Sequence, residues 1–171
     1  MGSKKYRLMS IDSSSSKTGY AVYDAGILTA SGVLDMSAEK DKEIRLENMC
    51  LAIIDTLKKY KPNTVVIEMT VVTRSAATQR LLSEIVGVVR GWAVSNYAEF
   101  VEYRPTVWRK LIVGPDKKIP KGRTDCKAWS IETVRNMYNK NKGDDECDAI
   151  LIGQARINEI AGIENNIIKS A

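Results

Sequence analysis

Residues 142–153 read KGDDECDAILIG, so Asp144, Asp145, Glu146 and Asp148 crowd four carboxylates into five positions just before an apolar run. Acids in a first helical turn complement the helix dipole, and Asp144 after Gly143 is a suitable N-cap. That accounts for Asp144 to Glu146 better than for Asp148. Asp145 and Asp148 are three apart and share a helical face, and Ile152 continues the same stripe toward packed structure. Like charges turned inward repel unless a cation or a proton accompanies them. The residues alone leave two readings open, a solvated helix start or a metal site.

Two carboxylates elsewhere raise the same question. Asp12 ends the apolar run YRLMSID and precedes four serines, where an Asp is also an ordinary turn former. Glu68 lies in TVVIEM with apolar residues on both sides. A carboxylate buried there costs several kcal/mol unless it is paired or coordinates a cation. The chain contains no histidine at all. That excludes Ser-His-Asp and Cys-His catalysis, histidine general bases and zinc sites of the His-containing kinds. Any metal must be held mainly by oxygen, which selects magnesium, manganese or calcium.

The elements that must carry these acids follow from hydrophobic periodicity. Strands are expected over 6–12, 19–24 and 26–36, with a tight turn at Asp24–Gly26. Leu46, Met49, Cys50, Ile53, Ile54 and Leu57 form the stripe of an amphipathic helix that stops at Lys61-Pro62-Asn63. The apolar run 64–69 suits a strand covered on both faces. A helix over 75–96, a strand over 100–103, and helices over 105–112, 124–140 and 145–161 complete the order, with a basic loop at 117–123. Strands and helices in this order make an α/β fold, a mixed five-stranded sheet with helices on both faces, as in the ribonuclease H-like (RNase H-like) fold.

With 171 residues, 44% of them hydrophobic and 27% charged, the chain is expected to form one globular domain over 1–171, Gly2-Ser3 fitting a cloning remnant. No apolar stretch approaches the roughly 18 residues needed to span a bilayer, so no membrane association is expected. Cys50, Cys126 and Cys147 are scattered, without a C-x-x-C pair, and read as buried thiols of a reducing cytoplasm. Charge is uneven: residues 103–142 hold 11 Lys and Arg against 3 Asp and Glu, within a chain of net charge +5. The segment is a solvated basic surface or the phosphate-binding part of a nucleic-acid enzyme.

Read together, three segments carry a resemblance. IDSSSSKTGYAV resembles the opening motif of the RuvC family of Holliday-junction resolvases, VVIEM its second motif, and DDECDAILIG its last. They occur in the family's order, and the similarity covers roughly residues 6–157; it looks closest to the smaller bacteriophage members, including those of lactococcal phages. The resemblance implies catalytic, metal-binding roles for Asp12, Glu68, Asp145 and Asp148, with Asp144 a weaker ligand candidate. It implies two Mg2+ ions per active site, with Mn2+ as a substitute and no small-molecule cofactor. The expected activity is nicking of branched DNA, giving a 5′-phosphate and a 3′-hydroxyl. Two metals can clamp the attacking and leaving oxygens of a phosphodiester, which suits four converging acids. Arg109 and Lys127 align with family lysines that contact DNA near the scissile phosphate. Arg74, Lys117, Lys118, Lys121 and Arg123 are candidate phosphate contacts. The expected location is the cytoplasm, that of the host if the source is a phage.

The chain departs from the family in the loop after Glu68. Bacterial members carry an aromatic wedge there, where this chain has Val71 and Val72, which cannot stack on a base although they can fill a gap between base pairs. Relaxed selectivity is expected, with forks cut as well as junctions. Gly87 and Gly91 sit four apart on the 75–96 helix, beside the apolar side formed by Leu82, Ile85, Val86, Val89 and Trp92. The family's equivalent helix builds a two-fold homodimer, which is the expected state here. Three rival readings exist: a phosphotransferase of the actin and sugar-kinase superfamily, whose first phosphate loop the Asp12–Gly19 block also resembles; a nuclease for structured RNA, such as pre-ribosomal RNA; and a non-catalytic binder of branched DNA.

Overall fold

The first three apolar runs form an antiparallel meander, β1 (Arg7–Asp12), β2 (Lys17–Asp24) and β3 (Ile27–Asp35). Ala25 and Gly26 both have positive φ, the two-residue hairpin geometry whose twist matches that of the flanking strands. The structure, a computed structural model, describes residues 6–70, 75–114 and 117–170. Helix α1 (Lys42–Tyr60) follows, its N-terminus capped by the Asp41 carboxylate, which accepts from the amides of Glu43 and Ile44. Then come β4 (Thr64–Glu68), α2 (Ala76–Ser95), β5 (Glu99–Tyr103), α3 (Pro105–Val113), α4 (Arg123–Tyr138) and α5 (Asp144–Ser170). The strand order is β3-β2-β1-β4-β5, with β4 parallel to both β1 and β5. This is the mixed five-stranded sheet of the expected RNase H-like fold.

The period of two along each strand divides the sheet's faces between two cores. Met9, Ile11, Val65 and Ile67 pack with Met49, Ile53, Ile85 and Val89 of α1 and α2. Leu8 and Val66 pack on the opposite face with Trp108, Val134, Cys147, Ile150 and Leu151 of α3, α4 and α5. Ser10, on that second face, is fully buried and donates its hydroxyl to the Ala149 carbonyl of α5 at 2.7 Å. Tyr23 of β2 does the same to the Ile150 carbonyl, also at 2.7 Å. Thus α5 is fastened across β1 and β2.

Gly153 shows how closely it lies. A Cβ there would stand 2.5 Å from the Tyr23 ring and 2.6 Å from Ser10 Oγ, both of which are held in hydrogen bonds. Gly153→Ala is therefore expected to lower stability by about 2 kcal/mol in denaturant unfolding, although Ala is the better helix former. An unchanged midpoint would show that α5 can lift off the sheet at little cost.

Two expectations about α5 need correction. Gly143, and not Asp144, holds the cap position, because the Gly143 carbonyl accepts the first intrahelical bond from the Cys147 amide at 3.0 Å. Asp144 is the first helical residue, and its carboxylate is drawn instead to Lys127 of α4. The helix also runs to Ser170, nine residues past its expected end. Gly162 interrupts the helical pattern, but one glycine disfavours a helix by only about 1 kcal/mol.

Candidate active site

Asp12 and Glu68 come together through strand register. Ile11 pairs with Ile67 in the parallel β1–β4 ladder, so the next residue of each strand, Asp12 and Glu68, stands at the same level on neighbouring strands. Both follow the period of Ser10 and Val66 and so point to the side covered by α5. The third contribution depends on β2. Asp12 pairs with Gly19, and a Cβ on Gly19 would lie 1.9 Å from the Asp145 carbonyl oxygen. Only a glycine lets the first turn of α5 approach this closely, which brings Asp145 and Asp148 over the strand ends. Thr18 steadies the intervening loop, donating to the Ser14 carbonyl at 2.7 Å and accepting from its amide at 3.1 Å.

Asp12, Asp144, Asp145 and Asp148 line a cleft of about 370 Å³ together with Arg109, Gly122, Arg123, Cys126 and Lys127. Glu68, on the strand beside Asp12, is not among the lining residues and accepts the Trp108 indole N–H at 2.6 Å. Asp148 accepts the Ser130 hydroxyl. Burial pushes the Asp12 carboxyl well above the usual carboxylate range, and repulsion from Asp148, Glu68 and Asp145 adds to it, with Arg109 opposing. Burial also raises Glu68, against the Trp108 hydrogen bond and Arg109, with Asp148 adding to the rise. Asp148 is likewise raised by burial, against Ser130, Arg109 and Lys127. Asp12 thus feels the other three acids, and Asp148 also acts on Glu68. Among the described residues they do not close into a ready ligand cage.

This donor set fits a hard divalent cation. The ligating atoms are carboxylate oxygens, imidazole is absent from the chain, and each shifted acid carries a burial penalty that a cation would relieve. Arg109 is an internal counter-charge to Asp12, Glu68 and Asp148: its guanidinium rests on the Trp108 ring at 4.5 Å, and its buried Nε has no hydrogen-bond partner among the described residues.

The basic candidates separate. Arg109, Arg123 and Lys127 reach the cleft. Lys117, Lys118 and Lys121 surround a different, shallow hollow with Lys110 and Ile119. Val71, Val72 and Arg74 lie outside the described residues. Glu146, read from sequence as a helix-start acid, is almost wholly buried and pairs with Lys142 at 3.0 Å. Trp108 and Ser130 escape sequence reasoning, since their only signal is a tertiary contact to an acid from another element. Cys50, Cys126 and Cys147 are free thiols. No helix among the described residues is long and apolar enough to cross a membrane.

Known proteins share this sequence pattern and this fold. The sequence model of the family described as crossover junction endodeoxyribonuclease RuvC matches residues 8–155. The enzyme of that name from Nitratidesulfovibrio vulgaris is 26% identical over 164 residues, covering 91% of this chain and 96% of the relative. That of Caldanaerobacter subterraneus subsp. tengcongensis is 25% identical over 152 residues, covering 85% and 88%. Among solved structures, T. thermophilus RuvC in complex with Holliday junction substrate superposes with a TM-score of 0.68 at 13% identity, covering 91% of this chain and 95% of that one. The yeast mitochondrial Holliday junction resolvase Ydc2 gives 0.65 at 12% identity, covering 97% and 86%. At those identities the structures speak for the fold, while the family match spans every element from β1 into α5 that contributes to the acid cleft. The chain belongs to the crossover junction endodeoxyribonuclease RuvC family.

Proposed function

We propose that this chain is a metal-dependent, structure-selective endonuclease that nicks branched DNA, Holliday junctions and forks included, leaving a 5′-phosphate and a 3′-hydroxyl. The observation that carries the reading is the meeting of Asp12, Asp145 and Asp148 at one cleft with a basic rim, with Glu68 of the neighbouring strand electrostatically coupled to Asp12 and Asp148. The family's name and the junction bound to the T. thermophilus relative supply the substrate class. Two magnesium ions held by these acids, or manganese in their place, would activate water for in-line attack and stabilise the departing 3′ oxygen. The chain's own part is to hold and orient. Asp12 and Glu68 are fixed by the sheet, Asp145 and Asp148 by the docking of α5. Arg109, Arg123 and Lys127 stand where they can take phosphate oxygens. Lys127 would exchange its Asp144 partner for phosphate, and Arg109, which also lines the cleft, would offer a second cation.

A two-fold homodimer belongs to the same proposal. Gly87 and Gly91 of α2 have open space above them, and Val94 on α2 and Leu51 on α1 are 69% and 60% exposed. Small residues beside exposed apolar ones allow a second helix to approach closely, and two active sites could then nick opposing strands.

The test uses labelled four-way junction, fork and linear duplex, each with and without Mg2+, beside an Asp145→Asn variant. Metal-dependent nicking of the branched substrates, lost in the variant, is the expected result. Tight junction binding with no nicking in Mg2+ or Mn2+ would make the chain a branched-DNA binder, and cleavage confined to structured RNA would replace the substrate.

A further inference from the structure

Two neutral donors reach the acid site from helices that carry none of its four carboxylates. Trp108 of α3 is fully buried and donates its indole Nε1–H to Glu68 Oε2 at 2.6 Å. Ser130 of α4 is equally buried and donates its hydroxyl to Asp148 Oδ1 at 2.5 Å. Each acid therefore has one oxygen bound to a fixed donor and a second oxygen as its remaining ligand atom. A lysine or arginine in either place would neutralise the carboxylate and compete with an incoming cation. An indole N–H and a hydroxyl orient it without doing so. Trp108 is itself held in place, against the Trp129 ring at a centroid distance of 6.0 Å and under the Arg109 guanidinium at 4.5 Å.

We propose that Trp108 and Ser130 are positioning residues that fix the Glu68 and Asp148 carboxylates so that each presents one oxygen to a divalent cation, and that they thereby set the site's cation affinity. The inference rests on the metal-dependent reading above. The two clamps come from different helices and act on different acids, so their removal should weaken cation binding independently.

The test measures Mn2+ binding to DNA-free protein, by loss of the free-ion paramagnetic resonance signal, for wild type, Trp108→Phe, Ser130→Ala, Ser130→Thr and Asp145→Asn. Trp108→Phe keeps an aromatic ring and removes the donor. Each of Trp108→Phe and Ser130→Ala is expected to bind Mn2+ about tenfold more weakly, and Ser130→Thr, which keeps the hydroxyl, more tightly than Ser130→Ala. Melting in EDTA is recorded alongside, because a merely structural role would lower that temperature without changing Mn2+ affinity. If Trp108→Phe does not fold, the serine pair decides the matter. Wild-type affinity in both Trp108→Phe and Ser130→Ala, with Asp145→Asn impaired, overturns the positioning role and leaves the metal-dependent reading standing. Failure of the wild-type protein to bind Mn2+, or undiminished binding by Asp145→Asn, overturns both.

Discussion

An Asp12→Asn protein should melt higher than the wild type in EDTA and should have lost nearly all of its metal-dependent nicking. Both effects come from one cause. Asp12 is buried among Asp148, Glu68 and Asp145, and its carboxyl is pushed well above the ordinary carboxylate range. The unfolded chain imposes no such shift. At pH values above the ordinary carboxylate range the folded, metal-free protein therefore must either hold Asp12 charged against its surroundings or take up a proton to neutralise it, and the neutral, isosteric amide removes that cost. A gain of about 1–2 kcal/mol is expected, or roughly 2–8 °C for a chain of this size.

The pH dependence follows from the same raised acids. The native state binds protons at Asp12, Glu68 and Asp148 more readily than the unfolded state does. The wild type in EDTA thus gains stability as pH falls through those raised values toward the ordinary carboxylate range near 4, and loses it as pH rises again. The variant should show a shallower slope. Saturating Mg2+ should close or reverse the gap, since a cation that binds only the folded form stabilises the wild type. With Asp12 as a metal ligand, as proposed, nicking should fall by about 10^3-fold or more. A variant that melts below the wild type in EDTA would mean that the acids are not in electrostatic conflict.

Gly19→Ala carries the second large effect, and it acts in the opposite direction on stability. The new methyl group would sit 1.9 Å from the Asp145 carbonyl oxygen, 2.6 Å from its carbon and 3.2 Å from Ala149 Cβ. The first two atoms are backbone within the opening turn of α5, so no rotamer change makes room. The turn must move off β2, against the fastening of Ser10 and Tyr23 one turn further on. A loss of about 3 kcal/mol is expected, at the upper end for overpacking. The chemistry should suffer independently, since a displacement of about 1 Å in a reacting constellation lowers the rate roughly 100-fold. Circular-dichroism melting and the nicking assay read the two losses separately. Wild-type rates in Gly19→Ala would show that the placing of Asp145 and Asp148 does not depend on this contact.

The acids were legible in the sequence because each announces itself locally. Glu68 is a charge at the end of an otherwise almost wholly apolar strand, Asp12 closes another largely apolar one, and Asp145 and Asp148 share a helical face by their spacing. The same local patterns set out the strands and helices to within a few residues, except for the C-terminal end of α5. What they do not encode is how helices lie against one another. The Trp108–Glu68 and Ser130–Asp148 hydrogen bonds depend on the docking of α3 and α4, and so does the Lys127 contact that takes Asp144 away from its expected cap role. The basic segment shows the same limit. Its charge is plain in the sequence, yet Arg123 and Lys127 reach the cleft while Lys117, Lys118 and Lys121 turn to another hollow. Gly19 is an intermediate case: the residue is visible, but the reason for it is a helix more than a hundred positions away.

That separation has a consequence for how the protein comes into being. The hydrogen bond from Ser10 to Ala149 joins residues 139 apart in the chain, among the most distant contacts in the fold. As the polypeptide leaves the ribosome, β1 to β5 emerge while Asp145 and Asp148 are still unsynthesised, and the domain, which folds as a unit, still lacks its last helix. Such a nascent chain holds Asp12 and Glu68 and lacks the other two acids. On the proposed reading the acid site is complete only after the last helix has closed on the sheet, and a copy that ends before α5 carries half of the four acids.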